Sequence, residues 1–132
     1  MNGENMSTEK KRETEERRNN AFHSSVQVRL GKEDLFFGPG KARLMEYIEE
    51  TGSMQEACTK MELSYSKASK MMKKAEKQLG FKLLERRIGG SGGGGSRLTE
   101  EGRDLLKKYR ELTRRVQEDA DKVFAEVFGT EL

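Results

Sequence analysis

Lysine is concentrated in one short stretch of the chain. Residues 64–79 contain five lysines against one glutamate, a net charge of +4, and the lysines recur every three or four positions. On a helix, this spacing produces a cationic surface of the kind that contacts the phosphates of nucleic acids. Water-exposed helix faces usually mix both signs, so nucleic-acid binding is favoured over a merely solvated face. The lysines are Lys67, Lys70, Lys73, Lys74 and Lys77.

The modest total charge hides a segregated one. The 132 residues carry a formal net charge of +3, but residues 64–97 hold +7 and the rest of the chain −4. Local concentration of positive charge, rather than the total, is what phosphate binding requires. Three arginines continue the basic stretch beyond the lysines: Arg86, Arg87 and Arg97.

A short helix and a longer one, joined by a tight turn, are predicted to position the lysines. Ser53 and Glu56 form a capping box, in which each side chain satisfies a free N–H of the first turn, before a helix over 54–61. Ser64 caps a second helix, which ends at Gly80. A small residue, Ala57, stands where the helices must approach closely. A capped short helix, a turn of a few residues and a longer second helix together are the pattern of a helix-turn-helix.

The preceding residues predict a hairpin and one more helix. Residues 26–30 alternate apolar and polar side chains, which indicates a half-buried strand, and 35–37 form a second strand after a turn at 31–34. A two-stranded hairpin is marginal alone, so it should pack on the helices. Pro39 suits the first position of a helix that ends at Gly52.

Residues 81–98 are predicted to form a wing. Residues 81–86 and 96–98 read as two strands, and six of the seven residues in 89–95 are glycine. No Gly-Lys-[Ser/Thr] follows, so a nucleotide-phosphate loop is excluded. An engineered linker is conceivable. A flexible tip that approaches a DNA backbone without side-chain clashes is favoured.

The last segment, 99–132, is predicted to be one long helix. Thr99 is a good N-cap, and a helix to Phe128 would measure roughly 45 Å, too long to pack entirely on a small domain. Its apolar residues recur in steps of three and four. A homodimer interface is favoured over an intramolecular amphipathic helix, because the exposed stripe would otherwise be a sizeable apolar patch. The predicted interface residues are Leu105, Tyr109, Leu112, Val116, Val123, Phe124 and Val127.

A family resemblance rests on motifs spread over 35–106. The chain resembles the N-terminal DNA-binding domain of the ModE-type, molybdate-responsive transcriptional regulators, which is similar to the winged helix-turn-helix of LysR-type regulators. The matching residues are Gly52-Ser53, Ser64-Tyr65-x-x-Ala68, and Glu85-Arg86-x-x-Gly89-Gly90-x-Gly92-Gly93-Gly94-Gly95-x-x-Leu98-Thr99-x-x-Gly102.

The resemblance implies a fold and a partner. The expected fold is mainly α with small β: a winged helix-turn-helix over 22–98, with an N-terminal β-hairpin and a long C-terminal dimerisation helix over 99–132. It implies a homodimer that binds a pseudo-palindromic operator in double-stranded DNA. The family's molybdate-binding domains would follow the linker helix, where this chain ends at Leu132. The chain is therefore expected to be either a single-domain member of the family or a fragment, and molybdate binding is not expected in it.

In a helix-turn-helix, the N-terminal residues of the second helix reach base edges. Lys67 and Lys70 could donate to guanine, and the serines could contact a base or a phosphate. Replacing Lys67 should relax specificity, whereas replacing Lys74 should weaken binding evenly and flatten its salt dependence. The predicted DNA-binding residues are Ser64, Tyr65, Ser66, Lys67, Ser69, Lys70, Lys73, Lys74, Lys77, Arg86, Arg87 and Arg97.

Other classes of function are disfavoured. No catalytic set, cofactor site or zinc site presents itself, and the lone Cys58 is expected to be a buried thiol in a cytoplasmic protein. No apolar run is long enough for a membrane span. Residues 1–21 are polar with no net charge and are expected to be a disordered tail. Two alternatives stay open: an architectural DNA-binding protein without strong sequence preference, and a protein-interaction module that uses the C-terminal helix.

Overall fold

The computed structural model describes residues 21–87 and 95–129. They form two compact units, one over 27–114 and a smaller one made of 21–26 and 115–129. The predicted tail, apart from Ala21, and the glycine-rich tip at 88–94 lie outside the described residues. Within these ranges, no helix combines the length and the apolar character of a membrane-spanning segment.

The elements confirm a mainly α fold with small β structure. Two short antiparallel strand pairs accompany the helices, and the last helix continues from the larger unit into the smaller one. In chain order the elements are β1 (Leu30–Gly31), β2 (Leu35–Phe37), α1 (Pro39–Thr51), α2 (Met54–Met61), α3 (Tyr65–Leu79), β3 (Leu84–Arg87), β4 (Gly95–Leu98) and α4 (Glu100–Phe128).

The predicted helix ends are confirmed, because local capping determines them. Gly52 and Gly80 end α1 and α3 in the left-handed conformation, with φ of 72° and 84°. Ser53 Oγ accepts the Glu56 N–H at 3.1 Å. The second predicted bond of the capping box, from the Ser53 N–H to the Glu56 carboxylate, is wrong. The Ser53 N–H donates to Thr51 Oγ1 at 3.1 Å instead.

One apolar core holds the larger unit together. Three alanines in α2 and α3 are fully buried, and their small side chains let these helices approach closely. Phe36 and Phe37 of the first hairpin are buried as well, so the hairpin packs on the helices as predicted. The core residues are Phe36, Phe37, Ala42, Leu44, Met45, Ile48, Met54, Ala57, Cys58, Ala68, Met72, Ala75, Leu83, Leu98 and Tyr109.

The first predicted strand is mostly wrong. Pairing with Leu35–Phe37 begins only at Leu30, and 26–29 form no strand. Within the larger unit, the Val28 carbonyl accepts a 2.7 Å hydrogen bond from the Tyr109 hydroxyl. Within the smaller unit, the Val26 N–H donates to Gln117 Oε1 at 3.0 Å. Distant side chains therefore satisfy the backbone that a partner strand would have satisfied.

The strand predicted to begin at Phe81 begins at Leu84 instead. Glu76 Oε2 accepts the N–H groups of Leu83 at 2.7 Å and Leu84 at 3.3 Å. Thr99 donates its N–H to the Leu83 carbonyl at 2.9 Å. The Thr99 bond is in register with the β3–β4 pairing, but the Leu83 N–H, the reciprocal donor of that pair, is directed to Glu76 instead, so the regular ladder begins only at Leu84. The return strand begins at Gly95, one residue earlier than predicted.

Replacing Glu76 tests this arrangement. In Glu76→Ala, two backbone N–H groups lose a charged acceptor, so the free energy of unfolding should fall by about 2 kcal/mol. Glu76→Gln keeps an acceptor oxygen and should lose less than half as much. Urea unfolding followed by circular dichroism measures both. If Glu76→Ala were as stable as the parent, the carboxylate would not anchor this connection.

Candidate nucleic-acid interface

The turn between α2 and α3 sets the direction in which α3 leaves the core. Glu62 adopts a left-handed conformation with φ of 56°. The Leu63 N–H donates to the Cys58 carbonyl at 3.0 Å, which closes the end of α2. Ser64 Oγ then accepts the Lys67 N–H at 3.1 Å, as predicted for an N-cap. The first turn of α3 is thereby held with its side chains exposed.

The exposed side of α3 is cationic. Ala68, Met72 and Ala75 face the core, and at 100° per residue Lys70 and Lys77 point in the opposite direction. All five lysines of the helix are exposed. Within 21–87 and 95–129, none of them forms an ion pair with an acidic side chain. We call this surface, made of Lys67, Lys70, Lys73, Lys74 and Lys77, the lysine face.

A pocket of about 170 Å³ lies between α3 and the β3–β4 pair. On the α3 side, Tyr65, Ser69 and Lys73 line it, and Lys82 and Arg86 line it from the other side. Tyr65 is exposed, whereas Ser69 is half-buried and turned toward the pocket. Ser69 is therefore less accessible than the other predicted contacts.

The three predicted arginines have different surroundings. Arg97 pairs across the strands with Glu85, with 2.9 Å between Nε and Oε1. The Arg87 guanidinium lies against the backbone of two glycines. A Cβ on Gly52 would be 3.2 Å from Arg87 Nη1, and a Cβ on Gly95 would be 3.1 Å from Arg87 Nε. Arg86 is exposed and lines the pocket beside α3. Of the three, Arg86 is best placed to act together with the lysine face.

Sequence reasoning missed the contact that holds β4 to the start of the helix-turn-helix. The Ser96 N–H donates to the Gly52 carbonyl at 2.9 Å. A Cβ at Gly95 would lie 2.5 Å from that same carbonyl oxygen, so glycine is required there for a close backbone approach. Gly95 was predicted only as part of a flexible tip. No periodicity in the sequence could have paired it with Gly52.

Comparison with known proteins fits this geometry. Residues 41–103 match the family described as "Bacterial regulatory helix-turn-helix protein, lysR family". This segment is a LysR-type helix-turn-helix domain. It contains α2, α3 and the β3–β4 pair, together with nearly all of α1 and the first residues of α4.

The domain is similar to regulators named ModE. The chain is 37% identical over 86 residues to the transcriptional regulator ModE of Haemophilus influenzae, covering 65% of this chain and 33% of that protein. It is 39% identical over 72 residues to the molybdenum transport protein ModE of Herbaspirillum seropedicae, covering 54% and 27%. It is 30% identical over 95 residues to the DNA-binding transcriptional dual regulator ModE of Escherichia coli, covering 72% and 36%. The chain thus spans about a third of the length of these relatives.

The first part of α4 belongs to the interior of the larger unit, with the LysR-type domain. Tyr109 is buried, and its ring meets that of Phe37 edge to face, 5.1 Å between centroids. Burial raises the pKa of the Tyr109 hydroxyl, which stays protonated and donates to Val28. Leu105 is half-buried against the same core, and Leu112 is exposed. Tyr109, predicted as an interface residue, therefore packs inside the unit.

In the smaller unit, the later residues of α4 are largely uncovered. Val123 is 54% exposed and Val127 71% exposed. Val116 and Phe124 are half-buried. Phe22, which sequence reasoning missed, packs edge to face on Phe124 with 5.0 Å between ring centroids. Its isolated position in a polar segment offers no periodic signal.

The described residues of the LysR-type domain and of the smaller unit contain no cluster of histidine, cysteine and acidic side chains that could hold a metal ion. Cys58 is buried in the core, as predicted, and burial raises the pKa of its thiol. The thiol therefore stays protonated and unreactive.

Proposed function

We propose that this chain is a sequence-specific DNA-binding regulator of transcription that acts as a homodimer. The observation that carries the proposal is the lysine face, which is exposed and uncompensated by acids among the described residues. A DNA-binding regulatory role is named for the Escherichia coli relative. The DNA-binding part is residues 22–98, and the dimerisation part lies within residues 99–132, in the turns of α4 that follow the buried Tyr109.

In the proposed complex, α3 lies in the major groove. Residues near its N-terminus, Lys67 and Lys70 above all, donate to guanine O6 and N7. Lys73, Lys74 and Lys77 contact phosphates, which position the protein without reading sequence. The glycine-rich wing lies near the backbone, with Arg86 at its base. No catalysis or cofactor is part of this function.

Selection of binding sites from random duplexes by the full chain tests the proposal. We expect an enriched inverted repeat whose half-sites are roughly 34–36 Å apart, one helical turn. Equal affinity for selected and random duplexes would indicate an architectural protein instead. Absence of DNA binding at physiological salt, with self-association retained, would indicate an interaction module. Adding molybdate to the complex tests whether binding is independent of that anion, as we propose.

Exposed valines in the last turns of α4 support the homodimer. An uncovered apolar stripe favours burial against a second copy of the chain. The double variant Val123→Glu/Val127→Glu should therefore raise the dimer dissociation constant about 100-fold, about 1.4 kcal/mol for each residue. Sedimentation equilibrium over a range of protein concentrations measures it.

A matched control is Leu35→Glu, which adds a carboxylate at a residue of β2 that is 61% exposed. Its self-association should equal that of the parent. If the double variant self-associated as strongly as the control, α4 would not be the dimer interface. An inverted repeat has two half-sites, and a dimer held by α4 would bind both together. The double variant should therefore lose its preference for inverted repeats over single half-sites.

A further inference from the structure

A second pocket, of about 330 Å³, lies beside α3 where the first hairpin meets the start of α1. Two cationic side chains line it, Arg29 before β1 and Lys41 in α1. Apolar side chains form much of the rest of its wall. No carboxylate is among its lining residues, which are Arg29, Leu35, Phe36, Phe37, Gly38, Pro39, Gly40, Lys41 and Met71.

This pocket and the one beside β3 lie on opposite flanks of α3. Met71 lines the second pocket, and Lys67 and Lys74 share its flank of the helix at 100° per residue. Ser69 and Lys73 line the pocket beside β3. The outermost lysines stand between the two flanks. A ligand that holds α3 in a groove therefore also lies beside the second pocket.

Both cations are held in place by the fold. The aliphatic part of Arg29 packs on Gly38, where a Cβ would be 3.2 Å from Arg29 Cγ. Lys41 is half-buried, and its Nζ donates to the Phe36 carbonyl. Burial lowers the pKa of the Lys41 ammonium, and the neighbouring charge of Lys74 lowers it further. Positive charges thus converge here without a counter-ion among the lining residues.

We propose that Arg29 and Lys41 bind a backbone phosphate of the DNA strand that borders the major groove on the α1 side. The inference rests on the proposed function, since it requires α3 in the groove. The groove is about 12 Å wide and bordered by the phosphates of both strands. The Arg86 flank of α3 meets one strand, and the Arg29–Lys41 pocket meets the other. Neither residue was among the contacts predicted from the sequence.

Single charge removals test the site on the full chain. Lys41→Gln and Arg29→Gln should each weaken binding to the selected duplex about 5–10-fold near physiological salt, and should each lower the salt slope by about one. Their preference for specific over random duplexes should not change. Lys32→Gln removes the same charge from the exposed turn of the same hairpin, outside the pocket, and should change affinity less than about twofold.

Because Lys41 also donates to Phe36, its replacement could act through stability. Thermal unfolding of each variant measures that effect, and Arg29→Gln supplies a second variant that leaves the Lys41–Phe36 hydrogen bond in place. Lys41→Arg keeps the charge and should retain most of the affinity. Weakened binding by both neutral variants at unchanged unfolding temperature supports a phosphate site.

Neutral methylphosphonates placed singly along the duplex identify the phosphate. One position outside the read bases should weaken binding of the parent, and should weaken binding of Lys41→Gln and of Arg29→Gln less. If Arg29→Gln and Lys41→Gln bind like Lys32→Gln while Lys70 variants lose specific binding, this inference is overturned and the proposed function stands. If the chain binds no duplex, both fail. If inorganic phosphate at constant ionic strength competes but no methylphosphonate has an effect, the pocket binds a free anion instead.

Discussion

Lys70→Glu is expected to weaken binding to the selected duplex by at least about 100-fold. Lys70 lies opposite the buried Ala68, Met72 and Ala75, at the centre of the lysine face. The replacement removes a donor worth about 1–3 kcal/mol at a base edge and puts a negative charge among phosphates. Fluorescence anisotropy with selected and scrambled duplexes at several salt concentrations measures the loss.

Two further variants separate position from charge. Lys70→Gln should show an intermediate loss, because it removes the cation without adding repulsion. Lys32→Glu makes the same two-unit charge change in the first hairpin and should lower affinity less than about fivefold. Equal losses for Lys70→Glu and Lys32→Glu would show that only net charge matters, and would contradict insertion of α3 into the groove.

Gly102→Ala should destabilise the chain strongly. Gly102 is buried in the first turn of α4, where a Cβ would lie 2.5 Å from the Leu83 carbonyl oxygen and 3.2 Å from Thr99 Oγ1. The carbonyl is backbone that already accepts the Thr99 N–H, so it cannot move away freely. The steric cost outweighs the gain in helix propensity. We expect a net loss of about 2 kcal/mol or more, and an unfolding temperature lower by roughly 6–12 °C.

Gly40→Ala is the matched control. Gly40 also lies in the first turn of a helix, but nothing stands within 4 Å of a Cβ there. Alanine has the better helix propensity, so stability should be unchanged or raised by up to about 1 kcal/mol. Differential scanning calorimetry compares the two variants. A Gly102→Ala protein as stable as Gly40→Ala would mean that α4 and the 82–84 segment do not approach as closely as described.

Local patterns predicted the helix-turn-helix well. The bounds of α2 and α3 follow from Ser53 and Ser64 at their starts and from Gly80 at the end of α3. Capping is decided within four residues of the chain, so these signals are complete in the sequence. The lysine spacing likewise needs only helix geometry to place the charges outward. The resemblance to ModE-type domains was also confirmed.

Contacts between residues far apart in the sequence decided the rest. Only Leu30 of the strand predicted over 26–30 is a strand residue, and the Val28 carbonyl accepts a hydrogen bond from the Tyr109 hydroxyl, 81 residues away, instead of from a partner strand. The Glu76 carboxylate accepts the Leu83 N–H, which a longer β3 would have paired with the other strand. Gly95 and Gly102 lie where another segment's backbone carbonyl approaches too closely for a Cβ. Composition and periodicity report what each segment can form alone. The packing of the segments decides which buried polar group meets which partner, because burial forces every donor and acceptor to find a partner within reach. Packing also brings Arg29 and Lys41 into one pocket beside α3.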